Sequence, residues 1–421
     1  MDHLTRRQLL CAGAAVGGGF LLGWQRDARA GVLVAAAKAM PSMFVPNGFI
    51  RIGTDGRVTL IMCQVEMGQG TYTSMSMLLA EELEIGLDQM QLEHAPPDDK
   101  LYANPLFGEQ ETGGSTSVRM FYEPLRRAGA TARTMLLAAA AQTWNADPAS
   151  CQARRGVVTH TPTGRKLAYG ALANKAATLP MPTRVTLKDP KEFKLIGTSA
   201  KRLDSPAKGN GTAVFGIDVR LPGMKIATVA ASPVVGGKVA SVDDSEAKKI
   251  KGVRQIVRLD DAVAVVADNM WAATKGLKAL AIRWDDGPNG TVGTADVVQG
   301  LAAAAQTPGT VARADGDAAA ALAGAPKKIE TVYEVPFLAH ATMEPMNCTV
   351  HFRTDRCEVW TGTQVLARAL RGAAEAAGLP VEKVMVHNHY LGGGFGRRLE
   401  FDNVTQAVRI AKQVEGPVKI I

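Results

Sequence analysis

Residues 391–400 read LGGGFGRRLE, with four glycines and two arginines in ten positions. The run follows an extended, β-branched segment at 384–390 and precedes a helical spacing of apolar residues at 404–411. A loop between a strand and a helix start presents unpaired backbone N–H groups to an anion. Glycines allow that backbone to approach a bulky ligand closely. Arg397 and Arg398 add charge suited to phosphate oxygens.

Taken alone, this run leaves two interpretations open. It is either a ligand-binding loop or a tight turn with a solvated basic pair, because glycine motifs have many false positives. A second loop favours the ligand-binding interpretation. Residues 64–70 read QVEMGQG, and they close another predicted strand and open another predicted helix over 71–85. We therefore expect main-chain amides of the two loops to converge on one ligand.

Together the loops resemble the large, molybdopterin-binding subunit of the xanthine oxidase family of molybdenum hydroxylases. The wording EMGQG at 66–70 and GGFGRR at 393–398 is most similar to the isoquinoline 1-oxidoreductase β-subunit branch and its periplasmic aldehyde dehydrogenase relatives. This resemblance covers nearly the whole chain after residue 30, but only about the first half of the family's subunit. It implies an α+β fold in which molybdopterin-binding segments flank an α/β hammerhead domain.

The resemblance also implies which residues bind the cofactor. The backbone amides of the turn at 393–396 would face the metal's oxo ligand, much like an oxyanion hole. Gln69 would donate hydrogen bonds to the pterin or its phosphate, and Arg397 and Arg398 would face the dinucleotide phosphates or the pocket rim. None would coordinate the metal, because the dithiolene belongs to the cofactor. The full set of matching positions is Gly68, Gln69, Gly70, Thr112, Gly114, Ser115, Ser117, Gln364, Gly393, Gly394, Phe395, Gly396, Arg397 and Arg398.

The activity implied is hydroxylation of a carbon next to nitrogen or oxygen, in an N-heterocycle or an aldehyde. The expected cofactor is molybdopterin cytosine dinucleotide, and the expected partners are a small [2Fe-2S] subunit and a cytochrome c. In the family the general base is a glutamate far beyond the glycine loop. We therefore expect it beyond Ile421, in a truncated or split product. Glu344 is a weaker candidate, for which we favour a structural, hydrogen-bonding role because no partner carboxylate is visible.

Residues 1–30 resemble a targeting signal. The stretch TRRQLL at 5–10 is a twin-arginine pattern, an apolar run follows at 9–22, and ARA at 28–30 offers a cleavage site. We expect export in the folded state, which suits a chain whose cofactor is inserted first. The destination would be the periplasm or the periplasmic face of the inner membrane. The alternative is a disordered basic N-terminus.

The rest of the chain divides by composition and pattern. The sequence predicts a hairpin at 49–63 around Asp55-Gly56, a long helix at 118–144 that bends near Pro124, and a strand at 213–219. We expect the following segments: a molybdopterin-binding segment at 46–180, a linker at 181–208, the hammerhead domain at 209–286, an alanine-rich connector at 287–328, and a second molybdopterin-binding segment at 329–421.

Composition excludes several classes. The 421 residues are 46% hydrophobic and 21% charged, as in ordinary globular proteins. The net charge of +8 comes without a dense basic tract interleaved with aromatics, so nucleic-acid binding is not expected. The five cysteines form no CxxC pair, and His387-x-His389 alone is weak evidence for a metal. Cys348 and Cys357 either pair across a hairpin or are small buried residues.

Two other functions stay open at this point. A nicotinamide or flavin dehydrogenase would use the loop at 392–396 for a dinucleotide, although the loop lacks GxGxxG spacing. A non-catalytic remnant or partner-binding fragment would bind no cofactor.

Overall fold

The computed structural model describes residues 43–421, with side chains from residue 47 onward. The twin-arginine signal predicted at 1–30 therefore lies outside the described residues. The chain forms two compact units. The first holds the described residues up to Lys225 together with Thr342–Ile421, and the second is Ile226–Ala341. The predicted domain limits stay predictions.

Two sheets and a helical layer make up the N-terminal part of the first unit. Its strands are β1 (Met43–Asn47), β2 (Ile50–Gly53), β3 (Val58–Met62), β4 (Met90–His94), β5 (Cys151–Arg154), β6 (Val157–His160) and β7 (Lys166–Ala168). Its helices are α1 (Thr71–Leu83), α2 (Asp99–Tyr102), α3 (Ser117–Trp144), α4 (Tyr169–Ala177) and α5 (Ser205–Gly209). One sheet has the order β1-β2-β3-β4 and the other β5-β6-β7.

The hairpin predicted at 49–63 is present. Ile50 pairs with Leu60 across antiparallel β2 and β3, and Gly56 in the turn has φ +83°. β3 also pairs in parallel with β4. All five residues of β3 are buried, as expected for a strand covered on both faces.

Helices α1 and α3 pack closely against each other in the first unit. A Cβ atom on Gly129 would lie 2.5 Å from the carbonyl oxygen of Leu79, so glycine permits this close approach. Pro124 lies inside α3, which continues to Trp144. The helix is held by its buried face, including Phe121 and Leu125.

The strand predicted at 213–219 is wrong. The structure has a short 3₁₀ turn there, Gly216–Asp218. The backbone N–H of Phe215 donates to the Asp218 carboxylate at 2.9 Å, and this local bond favours a turn over an extended ladder.

The second unit contains two antiparallel sheets, ordered β10-β11-β8 and β12-β9. Its strands are β8 (Lys225–Ala231), β9 (Lys238–Asp243), β10 (Val253–Arg258), β11 (Ala262–Ala267) and β12 (Ala281–Asp285). Its helices are α6 (Ser245–Lys248), α7 (Met270–Lys278), α8 (Thr294–Ala304) and α9 (Ala318–Gly324). α8 and α9 lie in the alanine-rich segment at 287–328.

The C-terminal part of the first unit carries the glycine-rich run. Its elements are β13 (Cys348–Arg353), β14 (Arg356–Thr361), α10 (Leu366–Ala377), β15 (Val384–Asn388), α11 (Asp402–Ala411) and β16 (Val418–Ile420). β13 pairs antiparallel with β14 and β16, and β14 pairs in parallel with β15. A 3₁₀ turn, Arg397–Leu399, separates the glycines from α11. α11 confirms the helix predicted from the apolar spacing at 404–411.

In the part of the chain that the structure covers, no helix combines the length and apolar character needed to cross a membrane.

Candidate functional site

Four loops of the first unit meet at one place. We define loop A as 64–70, loop B as 111–117, loop C as 361–364 and loop D as 391–399. Loops A and D follow strands β3 and β15, so the ends of two sheets position them. Loop C connects β14 to α10, and loop B precedes α3.

Loops A and D touch directly. The backbone N–H of Leu391 donates to the carbonyl oxygen of Glu66 at 3.2 Å. A Cβ atom on Gly394 would lie 2.5 Å from Met67 Sδ and 2.7 Å from Gln364 Oε1. Only glycine fits there without movement of its neighbours. The structure therefore brings the two glycine loops together, whereas the convergence of their amides on one ligand stays a prediction.

Thr112 and Gln364 join the remaining loops. The N–H of Thr112 donates to the carbonyl of Gln364 at 2.9 Å, and Gln364 Nε2 donates to the carbonyl of Thr112 at 2.8 Å. Thr112 Oγ1 also accepts from the N–H of Val65 at 3.0 Å. Both side chains are buried, and their predicted contact with a cofactor stays a prediction.

Loop D presents a run of free donors. The N–H groups of residues 393–396 donate to no other described residue. Beside them, the buried Gln364 Oε1 has no hydrogen-bond partner. Four successive amides and one acceptor, all without partners among residues 43–421, suit a ligand that both accepts and donates hydrogen bonds.

Two non-glycine residues in these loops have left-handed backbones. Phe395 has φ +51° and Ser115 has φ +54°. Both are exposed, and Phe395 has 70% of its surface accessible. Such conformations are uncommon outside glycine and cluster at binding and catalytic sites. Gly114 is also exposed, whereas the hydroxyl of Ser117 donates to Gln64 Oε1 at 2.8 Å.

Glu344 has the structural role that the sequence favoured. Its carboxylate is buried and accepts from the N–H of Gly392 at 2.8 Å and the N–H of Ile217 at 3.0 Å. It also accepts from Asn347 Nδ2 at 2.8 Å and from Arg398 Nη2 at 3.1 Å. With four donors, the Glu344 carboxylate supports loop D on its buried side.

Arg398 does not face a phosphate, and that prediction is wrong. The side chain is fully buried and donates to the carbonyls of Gly393 at 2.8 Å and Gly362 at 3.2 Å. It pairs with Glu344, because a buried guanidinium requires a charge partner and acceptors. Burial lowers the pKa of Arg398 below its ordinary value.

Arg397 lies nearer the surface but is also paired. Its guanidinium donates to both carboxylate oxygens of Asp402, at 2.7 and 2.8 Å. The sequence predicted that Arg397 would face a phosphate or the pocket rim. In the structure its guanidinium is bound by the Asp402 carboxylate.

Loop A contains a residue that sequence reasoning missed. Glu66 is fully buried, and its carboxylate accepts from the N–H groups of Gly68, Gly70 and Tyr72 at 2.8, 3.1 and 3.0 Å. The chain's own carboxylate therefore binds the N–H groups at the start of α1. The signal was available, because acidic groups are stabilised at helix N-termini.

The side chain of Gln69 is held within loop A. Its Oε1 accepts from the N–H of Met67 at 2.8 Å, and its Nε2 donates to the carbonyl of Val65 at 2.9 Å. The residue is exposed, so the second Nε2 proton remains available. Gly68 and Gly70 have φ values of +111° and +87°, which glycine adopts readily. The predicted pterin contact of Gln69 stays a prediction.

A small cavity lies beside these loops. It is lined by Cys63, Val65, His94, Thr112, Gln364 and Asn388, among others. The hydroxyl of Tyr72 lies 2.7 Å from His94 Nδ1. Burial, followed by the charge of His389, lowers the pKa of His94 to about 4. This histidine is therefore neutral near pH 7.

The cysteine and histidine side chains that could bind a metal have other roles in the structure. Cys348 and Cys357 are both free and buried, so the disulfide alternative is wrong. The ring of His387 stacks on Trp360 with centroids 4.9 Å apart. Over residues 43–421, no three acidic, histidine or cysteine side chains group together as metal ligands.

Comparison with known families accounts for both halves of this site. A model described as "Molybdopterin cofactor-binding domain" matches residues 25–228, and a second model with the same description matches 303–421. The chain belongs to the molybdopterin cofactor-binding family. Loops A and B lie in the first match, and loops C and D lie in the second. The fold is α+β, as predicted.

Two curated relatives match most of this chain and about half of their own length. The chain is 30% identical to "Isoquinoline 1-oxidoreductase subunit beta" of Brevundimonas diminuta, over 91% of this chain and 55% of that protein. It is also 30% identical to "Membrane-bound aldehyde dehydrogenase [pyrroloquinoline-quinone]" of Gluconacetobacter polyoxogenes, over 99% of this chain and 55% of that protein. The chain thus spans about half the length of the curated relatives it matches.

Among solved structures, quinoline 2-oxidoreductase from Pseudomonas Putida 86 is similar with 19% identity and a TM-score of 0.42. The match covers 54% of this chain and 34% of that chain.

Proposed function

We propose that this chain is the molybdopterin-binding subunit of an oxidoreductase that hydroxylates an N-heterocycle or an aldehyde. The observation that carries the proposal is the run of unpaired amides at 393–396, beside the unpartnered Gln364 Oε1 and in contact with loop A. The family match over both glycine-containing loops favours molybdopterin over the nicotinamide or flavin alternative.

The residues present fit the cofactor. The amides of 393–396 would donate to its acceptor atoms, and Gln364 Oε1 would accept from one of its donors. Gln69 would offer its remaining Nε2 proton, and the exposed Gly114 and Ser115 would contact the phosphate end. When bound, the group supplies a redox-active molybdenum centre that takes two electrons from the substrate.

The chain's own contribution is orientation and rigidity. Glu344 and Arg398 brace loop D from its buried side, so the amides are held in place before a ligand arrives. Preorganised donors lose little free energy to reorganisation. Phe395, exposed at the tip of loop D, would cover the bound group and exclude water from it.

Several finer features belong to the same proposal. The cytosine dinucleotide form, a small [2Fe-2S] subunit and a cytochrome c would complete the electron path. Support comes from the name "Isoquinoline 1-oxidoreductase subunit beta", which describes one component of an assembly. The TRRQLL stretch supports export to the periplasm, or to the periplasmic face of the inner membrane.

The test is cofactor analysis of the full chain produced in a host that makes molybdopterin. We expect molybdenum by plasma mass spectrometry, a fluorescent pterin after oxidation, and cytidine monophosphate after acid release. Gly394→Ala should lower the molybdenum content about tenfold, because its Cβ atom would clash with Met67 and Gln364. Gly300→Ala, where the new Cβ atom meets nothing within 4 Å, should leave the content unchanged. A folded wild-type chain without molybdenum or pterin overturns the proposal.

A further inference from the structure

We infer that Arg202 is a positioning residue for the cofactor site, because it locks loop A in the conformation that meets loop D. This inference rests on the proposed function. Arg202 belongs to the segment at 202–208, which we call the strap, and no sequence motif drew attention to it.

The lock is needed because Glu66 buries a charge. Its carboxylate is fully inaccessible and holds the N–H groups of Gly68, Gly70 and Tyr72. Neutral donors alone leave a net negative charge away from water, which is costly. Loop A therefore keeps its shape only when a cation compensates that charge.

Arg202 supplies the nearer of two cations and a second contact, whereas Lys208 Nζ lies 4.0 Å from Glu66 Oε1. Arg202 Nη2 donates to Glu66 Oε1 at 3.0 Å, and its Nη1 donates to the carbonyl of Gly68 at 2.8 Å. One guanidinium thus binds the acid and the loop's own backbone. A compact ammonium group could not reach both acceptors with the same planar geometry.

The strap is braced by bonds within it and is joined to helix α1. Arg202 donates to both oxygens of Asp204, at 3.0 and 2.7 Å, and Lys208 Nζ lies 2.5 Å from Asp204 Oδ2. The N–H of Leu203 donates to Thr73 Oγ1 on α1 at 3.0 Å. Burial raises the pKa of Asp204, but the bonds and charges of Arg202 and Lys208 outweigh burial and lower it to about 2.

The strap also reaches the side of loop D. Lys208 Nζ lies 5.2 Å from the ring centre of Tyr390, the residue that precedes loop D. The backbone carbonyl of Glu66 accepts from the N–H of Leu391, and Met67 packs against Gly394. Displacement of loop A would therefore open the contact beside the free amides.

The experiment compares hydrogen exchange in the chain without cofactor. In Arg202→Gln we expect the amides of Gly68, Gly70 and Tyr72 to exchange about tenfold faster, because a hydrogen-bonded charge partner is lost. Arg202→Lys should give a smaller increase, since the charge remains. Arg254→Gln removes a more exposed Arg–Asp pair in the second unit and should leave these amides unchanged.

A second arm uses protein loaded with molybdopterin. Arg202→Gln should release molybdenum several-fold faster than wild type at a temperature at which both proteins remain folded. Unchanged exchange in Arg202→Gln overturns the inference, as does faster exchange with unchanged molybdenum release. If Arg202→Gln does not fold, Arg202→Lys decides by the same two measurements. If the wild type holds no molybdenum, the proposed function fails, and exchange still tests the lock.

Discussion

Arg397 and Arg398 are neighbours in sequence with opposite environments. Arg397 pairs with Asp402, whose side chain is 65% exposed, whereas Arg398 is 0% exposed and pairs with Glu344. Water screens the first pair, so it contributes little to stability. No water can replace a lost partner in the second pair. Removal of Arg398 therefore leaves the buried carboxylate of Glu344 uncompensated.

Alanine substitutions at the two positions should therefore differ sharply. We expect Arg398→Ala to lower the free energy of unfolding by about 3–5 kcal/mol and Arg397→Ala by less than about 1 kcal/mol. Urea unfolding followed by circular dichroism measures both. Equal losses in the two variants would contradict the assignment of Arg398 as a buried brace.

At the scale of elements, helix α1 holds the segment that the sequence reads as a linker. Glu82, near its C-terminus, is fully buried and accepts from Arg126 at 2.8 Å and from the N–H of Lys188 at 3.1 Å. Glu81 accepts from Lys188 Nζ at 2.8 Å and from the N–H of Leu195 at 2.6 Å. Two adjacent carboxylates thus fasten residues 188–195 to the helix.

Glu82→Gln should release this segment. A buried arginine without its partner costs about 3–5 kcal/mol, so we expect a loss of that order in the free energy of unfolding. Residues 188–195 should also become cleavable by trypsin under native conditions. Glu123→Gln, which breaks an exposed pair with Arg127, is the matched control and should change neither measurement. Resistance of Glu82→Gln to trypsin would count against the fastening role.

Strand β4 ends at a histidine that makes stability depend on pH. The pKa of His94 is about 4 in the folded chain and about 6.5 when unfolded. Between these values the unfolded chain binds the additional proton, so stability falls as pH drops from about 6.5 to 4. Because His94 is only partly buried, we expect a contribution of about 2 kcal/mol.

The measurement is the unfolding free energy of wild type and His94→Gln at several pH values. Glutamine can still bond the hydroxyl of Tyr72 but does not titrate. The variant should lose less stability than wild type as pH falls across this window, with the curves parallel above pH 7. Parallel curves throughout would show that His94 does not titrate as described.

At the scale of the whole molecule, the second unit carries an exposed apolar segment. No main-chain hydrogen bond joins residues 329–341 to another described residue. The segment's exposed apolar side chains are Ile329, Val332, Tyr333, Val335, Phe337 and Leu338, each more than 70% accessible. Extended backbone with free hydrogen-bonding groups and apolar side chains promotes association.

We expect this chain in isolation to self-associate through that segment. The double substitution Val335→Lys and Phe337→Lys should reduce light scattering at a given concentration by at least about twofold. Val297→Lys with Leu301→Lys adds the same charge to exposed positions of α8 and should have a smaller effect. If the two pairs of substitutions act equally, charge alone explains the change.

Local sequence determined the parts of this protein whose geometry depends on neighbours in the chain. Residue spacing and backbone preference predict the turn at Asp55-Gly56, helix α1 after loop A, and strand β15. The short motifs EMGQG in loop A and GGFGRR in loop D also identified the family, because each motif consists of consecutive residues. The strand predicted at 213–219 did not form, because the hydrogen bond from Phe215 to Asp218 competes with hydrogen bonding to a neighbouring strand.

Tertiary structure alone decided the partners of the charged groups. Arg202 reaches Glu66 across 136 positions, and Arg398 reaches Glu344 across 54, so no local pattern encodes either pair. Backbone preference is a property of a few consecutive residues, whereas the cost of burying a charge depends on everything packed around it. The sequence therefore determined where the loops lie and which family they belong to. The fold decided which amides are free and which arginines hold them in place.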